Sequence, residues 1–258
     1  MTNQRHLRVA GTRNLRDVGG YEAGPGRETR WETLFRSDSL DKLPASSQST
    51  IADLGIRLVI DLRHRAEVES WPSVFRASPS VGYVRAPIFE DPPDPALTIV
   101  GVYRQMLDEH GGGIAAAVRA IVQPGALPAI IGCAAGVDRT GVTIAVILSA
   151  VGVPPEVIAS DYALSVASYA FDAPESGLDD WRAGPVDIDA APETMAATLD
   201  YLERRYRGGR GFLIERGLND DEVDRLTQLL TAPVAGDQPV SGIQRASQAR
   251  APSRIDAE

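Results

Sequence analysis

The segment AIIGCAAGVDRTGVTIAVIL, residues 129–148, places the only cysteine of the chain between two apolar runs. The run before Cys133 is short and apolar, which predicts a buried strand, and the run after Arg139 has the length and composition of a helix. A loop of small residues joins the two runs. Because buried strands flanked by helical segments are typical of α/β sheets, the segment predicts an α/β fold with Cys133 at a strand end.

The rest of the chain extends this prediction. Residues 55–62 are β-branched and apolar and predict a strand, and residues 81–88 alternate well enough for another. Residues 99–122 predict a helix that is interrupted at the three glycines of positions 111–113. A strand 127–132 then leads into the cysteine loop.

The C-terminal third is predicted to be helical. Asn219 followed by Glu222 is typical of a helix start. Residues 169–190 carry acids and several glycine or proline breaks, which indicate a loop or flap. We therefore predict one catalytic domain over residues 1–231 and a disordered tail over 232–258, where large apolar residues are scarce. One further predicted helix has an apolar stripe formed by Met195, Leu199, Leu202 and Tyr206.

Composition excludes several function classes. The chain has 258 residues and a formal net charge of −9, which argues against a nucleic-acid surface. One cysteine and three histidines give no pattern of metal ligands, and a lone cysteine forms no internal disulfide. No apolar run is long enough for a membrane span, and the N-terminal residues show no signal peptide. A cytoplasmic location is expected, with secretion by a non-standard route left open.

The loop carries groups suited to phosphate chemistry. Cysteine is a nucleophile only as a thiolate, and a free thiol is about 3% ionised at pH 7, so an activating environment is needed. A helix N-terminus offers unpaired N–H groups and a partial positive charge, and small residues let the backbone curl around an anion. Arg139 adds a guanidinium fork, and Thr140 is expected to hydrogen-bond the thiolate. The alternative is that Cys133 is a small buried hydrophobe and Arg139 a surface residue.

The sequence CAAGVDRTG resembles the phosphate-binding loop of cysteine-based protein-tyrosine phosphatases, and more narrowly the bacterial tyrosine and dual-specificity branch with H-C-x-A-G-K-D-R-T-G. The resemblance extends beyond the loop. Further matching segments are NLRDVGGY (14–21), LFRSDSLDKL (34–43), LGIRLVIDLRHRAEVE (54–69), YRQML (103–107) and TLDYLERRYRGGRGFLIERGL (198–218). Two positions depart from the pattern, because Gly132 replaces the usual histidine and Val137 the usual lysine. A less cationic site is therefore expected.

The resemblance implies a protein-tyrosine-phosphatase-like α/β fold, with a central, mostly parallel sheet flanked by helices and a helical lid. It implies a two-step mechanism through a cysteinyl phosphate, with no metal and no cofactor. Cys133 would be the nucleophile, and Arg139 would bind phosphate together with the loop amides. The phosphate-binding residues implied are Ala134, Ala135, Gly136, Val137, Asp138 and Arg139.

The general acid is less sharply predicted. Asp138 is the first candidate because it lies on the loop, and its alternative role is to cap the following helix. Asp91 is the second candidate, in an acidic segment after the strand 81–88, and its alternative is a solvated turn. Asp61 and Arg63 end the strand 56–61, where an ion pair supporting the pocket competes with an ordinary strand-to-helix turn.

Other functions remain open from the sequence. A sulfurtransferase also uses a loop cysteine, but its loop is one residue shorter and would leave DRTG unexplained. Low-molecular-weight phosphatases and arsenate reductases place their cysteine close to the N-terminus, unlike Cys133. A phosphate-binding pseudophosphatase and a phosphatase of sugar, nucleotide or lipid phosphates are the main alternatives. The expected partner is a phosphorylated protein or a small phosphate ester, and the oligomeric state is left open.

Overall fold

The computed structural model of the chain describes residues 5–91, 93–170 and 188–234. The strands in these ranges are β1 (Arg16–Asp17), β2 (Arg27–Thr29), β3 (Leu34–Ser37), β4 (Leu58–Asp61), β5 (Gly82–Arg85), β6 (Ala129–Gly132) and β7 (Thr231–Pro233). The helices are α1 (Ala45–Asp53), α2 (Arg65–Ser70), α3 (Ile99–Asp108), α4 (Gly111–Ile121), α5 (Asp138–Ala150), α6 (Pro155–Ala170), α7 (Pro192–Tyr206), α8 (Gly208–Glu215) and α9 (Asp220–Leu230).

Five strands form the central sheet in the order β1-β3-β6-β4-β5. Strands β3, β6, β4 and β5 run parallel, and the edge strand β1 pairs antiparallel with β3. Successive side chains of β6 point to opposite faces of the sheet. Ile130 packs in the apolar cluster that includes Ile51 of α1, whereas Ile131 packs in the larger apolar cluster on the other face. The predicted α/β fold with a mostly parallel sheet between helices is confirmed.

Helix α5, which follows the cysteine loop, lies inside the larger apolar cluster. All residues from Thr140 to Leu148 are buried, and α5 packs against α6 and α8. A helix that is apolar on every side belongs in a core, which explains why its sequence lacks an amphipathic pattern. The loop that precedes α5 is therefore attached to a helix that is buried over most of its length.

The predicted helix over 99–122 is two helices, α3 and α4, and the break lies at Glu109 and His110 rather than at the glycines. The three glycines form the first turn of α4. A Cβ on Gly113 would lie 2.3 Å from the carbonyl oxygen of Pro87, so glycine permits a close backbone approach. The glycines at the start of α4 allow close packing of the backbone and do not interrupt a helix. The sequence composition alone does not distinguish these two roles.

The C-terminal predictions are largely confirmed. The stripe residues of α7 are buried, and Asn219 caps α9 in a capping box with Glu222. Strand β7 pairs with β2 and extends two residues past the predicted domain boundary at residue 231, and the boundary itself stays a prediction. The pairing strand β2 lies more than 200 residues upstream, so the local composition of the tail could not predict the pairing. Within the predicted loop 169–190, residues 171–187 lie outside the described residues.

In the part of the chain that the structure describes, no helix combines the length and apolarity that crossing a bilayer requires.

Candidate active site

The cysteine loop lies at the edge where the parallel strands end. Gly132, the last residue of β6, is in register with Ser37 of β3 and Asp61 of β4. Cys133 follows and is 3% exposed, and α5 begins at Asp138. Carboxyl ends of parallel strands are where sites collect in α/β folds, and the structure places the predicted nucleophile there.

The carbonyl groups of the loop are anchored to the rest of the domain. Three consecutive carbonyl oxygens accept hydrogen bonds from β3, from α6, from the segment just after β3 and from the segment before β1. Two of these donors are the buried side chains of Asn14 and Arg36. The bonds are Ser39 N to Ala134 O (3.1 Å), Tyr169 Oη (2.7 Å) and Asn14 Nδ2 (3.1 Å) to Ala135 O, and Arg36 Nη2 (2.9 Å) and Asn14 Nδ2 (3.1 Å) to Gly136 O.

The N–H groups of the loop are arranged in the opposite way. Among the described residues, the backbone N–H groups of Ala134, Ala135, Gly136 and Val137 donate to no hydrogen-bond acceptor. In a trans peptide the N–H points away from the preceding carbonyl, so anchoring the carbonyls turns the next N–H groups to the other side. Consecutive free N–H groups at a helix N-terminus make a concave site for an anion.

Gly136 is required by the shape of the loop. Its φ is +69°, a region that favours glycine, and a Cβ at this position would lie 2.4 Å from the carbonyl oxygen of Ser37. The loop thus passes so close to the end of β3 that no side chain fits.

Arg139 is fixed by Glu67 of α2. Its Nη1 lies 2.6 Å from Oε2 and its Nη2 lies 2.8 Å from Oε1, which is a bidentate pair. Burial opposes the charge of Arg139, but the hydrogen bonds to Glu67 and the nearby Cys133 raise its pKa overall. Burial likewise opposes the charge of Glu67, yet Arg139 lowers its pKa below the usual range. Arg139 is therefore a permanently charged group held in one orientation.

Glu67 is a site residue that the sequence analysis did not identify. It closes the capping box of α2, where the backbone N–H of His64 donates to Glu67 Oε2 at 3.0 Å. The carboxylate thus joins the start of α2 to Arg139. The segment 54–69 contains the pattern that could have identified Glu67 as a site residue. This glutamate follows Asp61 and Arg63 at the family spacing D-L-R-x-x-x-E.

Asp61 and Arg63 form the predicted ion pair. Arg63 Nη2 donates to Asp61 Oδ2 at 2.7 Å, and Tyr83 Oη donates to the same oxygen at 2.9 Å. Both partners are buried, and Asp61 borders a small cavity that Cys133 also lines. The pair is therefore part of the floor beside Cys133, and its support of phosphate binding stays a prediction.

Asp138 is the first residue of α5 and does not cap it. Val137 occupies the N-cap position, and no side-chain capping bond is formed there. Asp138 Oδ1 instead accepts a hydrogen bond of 2.6 Å from Tyr103 Oη. The alternative role as a capping residue is therefore wrong, because the helix starts one residue too early for it.

The other candidate acid, Asp91, is exposed. Phe89 and Pro93, on either side of it in the sequence, line a groove beside Arg139, but Asp91 itself does not.

Thr140 is fully buried, and its Oγ1 has no hydrogen-bond partner among the described residues. The predicted hydrogen bond from Thr140 to the Cys133 thiol is thus absent, because the hydroxyl is enclosed within α5 and its packing.

A groove of about 340 Å³ opens beside Arg139. Helix α3 forms one wall, and the start of α2 and the segment after β5 form others. Its polar lining consists of His64, Glu67, Asp138 and Arg139, and its apolar lining of Phe89, Pro93, Ile99, Val102 and Met106. Such a groove suits an apolar or aromatic group that carries a single anion at one end.

The two departures from the family loop have structural counterparts. A Cβ on Gly132 would lie 3.0 Å from the Asp38 carbonyl oxygen and 3.1 Å from that of Ser37, so a larger residue requires the end of β3 to move. Val137 is 2% exposed and belongs to the larger apolar cluster. Its side chain therefore does not stand at the rim of the pocket, where the resemblance implied a lysine.

Behind the loop lies a buried ionic network centred on Asp161 of α6. Arg36 Nη1 donates to Asp161 at 2.7 Å, Arg16 Nε at 3.2 Å and Tyr21 Oη at 2.8 Å. Burial alone would raise the pKa of Asp161, but the two guanidinium groups hold it well below its usual range. Because Arg36 also binds the loop at Gly136, this network connects α6 to the cysteine loop.

Within the described residues, no group of three or more His, Cys, Asp or Glu side chains is placed to hold a metal ion.

Fold and site together define a cysteine-dependent phosphatase, with a strand-end cysteine, a loop of free N–H groups and a fixed arginine.

Comparison with known protein sequences supports that class. The sequence profile of the Tyrosine phosphatase family matches residues 7–232, and the chain belongs to this family. It is 26% identical to a tyrosine-protein phosphatase of Nostoc commune over 76% of this chain and 73% of the relative. It is 25% identical to the triple specificity protein phosphatase PtpB of Mycobacterium tuberculosis over 86% of this chain and 98% of the relative. The crystal structure of P. aeruginosa TpbA, at 19% identity and a TM-score of 0.34, covers 81% of this chain and 92% of that one.

Proposed function

We propose that the chain hydrolyses phosphate monoesters of protein side chains, phosphotyrosine foremost, through a cysteinyl-phosphate intermediate. One observation carries the proposal: the four N–H groups of residues 134–137 have no partner among the described residues, while the carbonyls beside them are anchored. The loop is thereby prepared for an external anion next to the fixed guanidinium of Arg139.

In the first step the Cys133 thiolate attacks phosphorus. An S–P bond forms as the P–O bond to the leaving group breaks, and the electron pair of that bond goes to the leaving oxygen. Asp138, which lines the groove, donates the proton that this oxygen needs. The loop N–H groups and Arg139 stabilise the non-bridging oxygens throughout, because they are already oriented before the substrate binds.

In the second step a water molecule attacks the cysteinyl phosphate. Asp138, now ionised, takes a proton from the water, the S–P bond breaks, and the thiolate of Cys133 is restored. Inorganic phosphate leaves the loop. The same carboxylate thus acts first as an acid and then as a base, which requires it to stay close to the scissile bond in both steps.

The groove supports an aromatic leaving group. Its apolar wall of Phe89, Ile99, Val102 and Met106 provides contact for a ring, and Arg139 lies in the same groove. The names of the two curated relatives, a tyrosine-protein phosphatase and a triple specificity protein phosphatase, favour protein substrates. A small metabolite phosphate is the second candidate, since the groove volume also admits one.

The test compares wild type and Cys133→Ser on p-nitrophenyl phosphate, phosphopeptides and a panel of sugar, nucleotide and lipid phosphates. We expect turnover with a burst of phenolate, the highest kcat/KM on phosphotyrosyl peptides, and a loss of more than about 10³-fold in Cys133→Ser. As a control, Cys133→Ser should keep the Tm of the wild type and should still bind tungstate. Activity in Cys133→Ser within tenfold of wild type contradicts the mechanism, and binding without any wild-type turnover indicates a pseudophosphatase.

A further inference from the structure

Asp138 ends a chain of buried hydroxyl groups. Tyr103 Oη lies 2.6 Å from Asp138 Oδ1 and 2.7 Å from Tyr162 Oη. Tyr103 is fully buried and Tyr162 is 1% exposed. The chain links α3 and α6 to the first residue of α5, so three helices determine where the carboxylate lies.

The directions of these hydrogen bonds follow from the chemistry of the groups. An ionised carboxylate only accepts, so Tyr103 donates its hydrogen to Oδ1 and its oxygen accepts from Tyr162. Burial, and then the neighbouring charge of Asp138, raise the pKa of Tyr103 far above its ordinary value. Tyr103 therefore keeps its proton at any working pH, and toward Asp138 it acts only as a donor.

This bond distinguishes the two oxygens of Asp138. Oδ1 is occupied by Tyr103, whereas Oδ2 has no hydrogen-bond partner among the described residues. When Asp138 binds a proton, placing it on Oδ2 preserves the bond from Tyr103, and placing it on Oδ1 breaks that bond. The tyrosine thus selects the oxygen that carries the catalytic proton.

We propose that Tyr103, supported by Tyr162, is a positioning residue that holds Asp138 through Oδ1 and reserves Oδ2 for proton transfer to the leaving group and from water. This role rests on the proposed function, because it needs Asp138 to be the acid and base. Tyr103 does not touch the substrate and acts only through Asp138.

The other titratable and charged groups around Asp138 are shared by every variant used in the test. Arg139 follows Asp138 on α5, Glu67 and His64 come from the start of α2, and Cys133 lies on the loop. Arg36 of β3 and Asp189, which precedes α7, act on Tyr162 at the far end of the chain of hydroxyl groups. None of these groups is altered when the hydroxyl of Tyr103 is removed, so a change in proton transfer reports on the tyrosine.

The test is Tyr103→Phe, which keeps the buried ring and removes the hydroxyl. We expect kcat/KM to fall about tenfold on phenyl phosphate, whose leaving group needs a proton, and much less on p-nitrophenyl phosphate. Loss of the donor also makes the ionised carboxylate less stable, so the high-pH limb of the kcat/KM profile moves to higher pH. Tyr162→Phe, which keeps the bond from Tyr103, is expected to show the same changes at smaller size.

Tyr206→Phe is the matched control, because Tyr206 is also buried and donates to a carboxylate, Asp108 Oδ1, at 2.5 Å on another part of α3. It is expected to lower stability without changing the leaving-group preference or the pH profile. A loss in Tyr103→Phe that is equal for both substrates, with an unmoved pH limb, overturns the positioning role and leaves the proposed function intact. An inactive wild type overturns the positioning role and the proposed function together, so the experiment distinguishes failure of the first alone from failure of both.

Discussion

Arg139 and Glu67 face each other as a fork and its matching carboxylate, with N–O distances of 2.6 and 2.8 Å. The pair joins the first turn of α5 to the first turn of α2, two helices that follow neighbouring strands of the sheet. Glu67 thereby holds the guanidinium in one orientation, within electrostatic range of Cys133. A side chain as flexible as arginine would otherwise lose conformational entropy on binding, so the pair preorganises the site.

Glu67→Gln is predicted to weaken catalysis without unfolding the protein. The amide keeps the shape of the side chain but loses the negative charge and one of the two acceptors, so Arg139 is held less firmly. We expect kcat/KM on an aryl phosphate to fall about tenfold to a hundredfold, since small misplacements of a catalytic group have effects of that size.

The measurement is steady-state kinetics together with the affinity for tungstate. Glu69→Gln is the matched control, because Glu69 is exposed on the same helix and pairs with Arg65 at 2.6 Å. Equal kinetics in Glu67→Gln and Glu69→Gln would show that Arg139 needs no partner.

The sequence revealed the parts of the site that are local in the chain. The strand β6, the loop and α5 lie together in residues 129–150, so the positions of Cys133 and Arg139 followed from pattern and resemblance. Contacts between distant segments were harder to predict. Tyr103 contacts Asp138 over 35 positions, and Glu67 contacts Arg139 over 72.

Two local expectations failed for reasons of packing. Thr140 was expected to face the thiol, but its hydroxyl is enclosed and unpaired among the described residues. The lysine that the family has at position 137 was expected to add charge to the site, but the side chain of Val137 is in the core. In both cases the sequence gives the residue type and its place in the loop, whereas the direction of the side chain depends on how α5 sits in the fold.

Gly136→Ala is predicted to disrupt the loop. The substitution places a Cβ 2.4 Å from the Ser37 carbonyl oxygen at a φ of +69°, so the loop backbone must move. We expect loss of tungstate binding, a drop in kcat/KM of at least about a hundredfold, and a lower Tm.

Gly125→Ala separates the effect of backbone strain from that of the contact, because Gly125 has a φ of +77° and nothing within 4 Å of an added Cβ. It is expected to lower Tm slightly and to leave binding unchanged. Tungstate binding in Gly136→Ala at the wild-type level would contradict the requirement for glycine.

Val137→Lys is predicted to destabilise the protein rather than to make the pocket more cationic. The side chain of Val137 is 2% exposed, and a buried ammonium group without a partner is strongly unfavourable. We expect the free energy of unfolding to fall by about 2–4 kcal/mol, measured by urea denaturation. Val166→Lys is the control, since Val166 is 45% exposed and should tolerate the charge. A stable Val137→Lys variant with improved kcat/KM on multiply phosphorylated substrates would instead place this position at the rim.

Asp161 is predicted to make the stability of the fold sensitive to acid. Its carboxylate is fully buried between Arg16 and Arg36, and these charges hold its pKa well below its usual range. A group whose pKa is lower in the folded state stabilises the fold above its unfolded pKa of about 3.9, and this contribution is lost as the pH falls below that value. Stability should therefore be complete near neutral pH and decline from about pH 4 downwards.

Asp161→Asn isolates this contribution, because it keeps the shape of the side chain and leaves the two buried guanidinium groups without a counter-charge. We expect a loss of about 3–5 kcal/mol in the free energy of unfolding at pH 7. Below about pH 4 the unfolded wild type binds a proton on Asp161 that the folded protein, with its lowered pKa, does not bind. The difference between the two proteins should therefore begin to shrink near pH 4 and shrink further at lower pH. Asp200→Asn, at an exposed i,i+4 pair with Arg204, is the control and should change little at any pH. Because Arg36 also binds Gly136, tungstate affinity should fall with stability in Asp161→Asn. A wild-type-to-Asp161→Asn difference that stays constant from pH 7 to pH 3 would show that the Asp161 charge does not hold this network together.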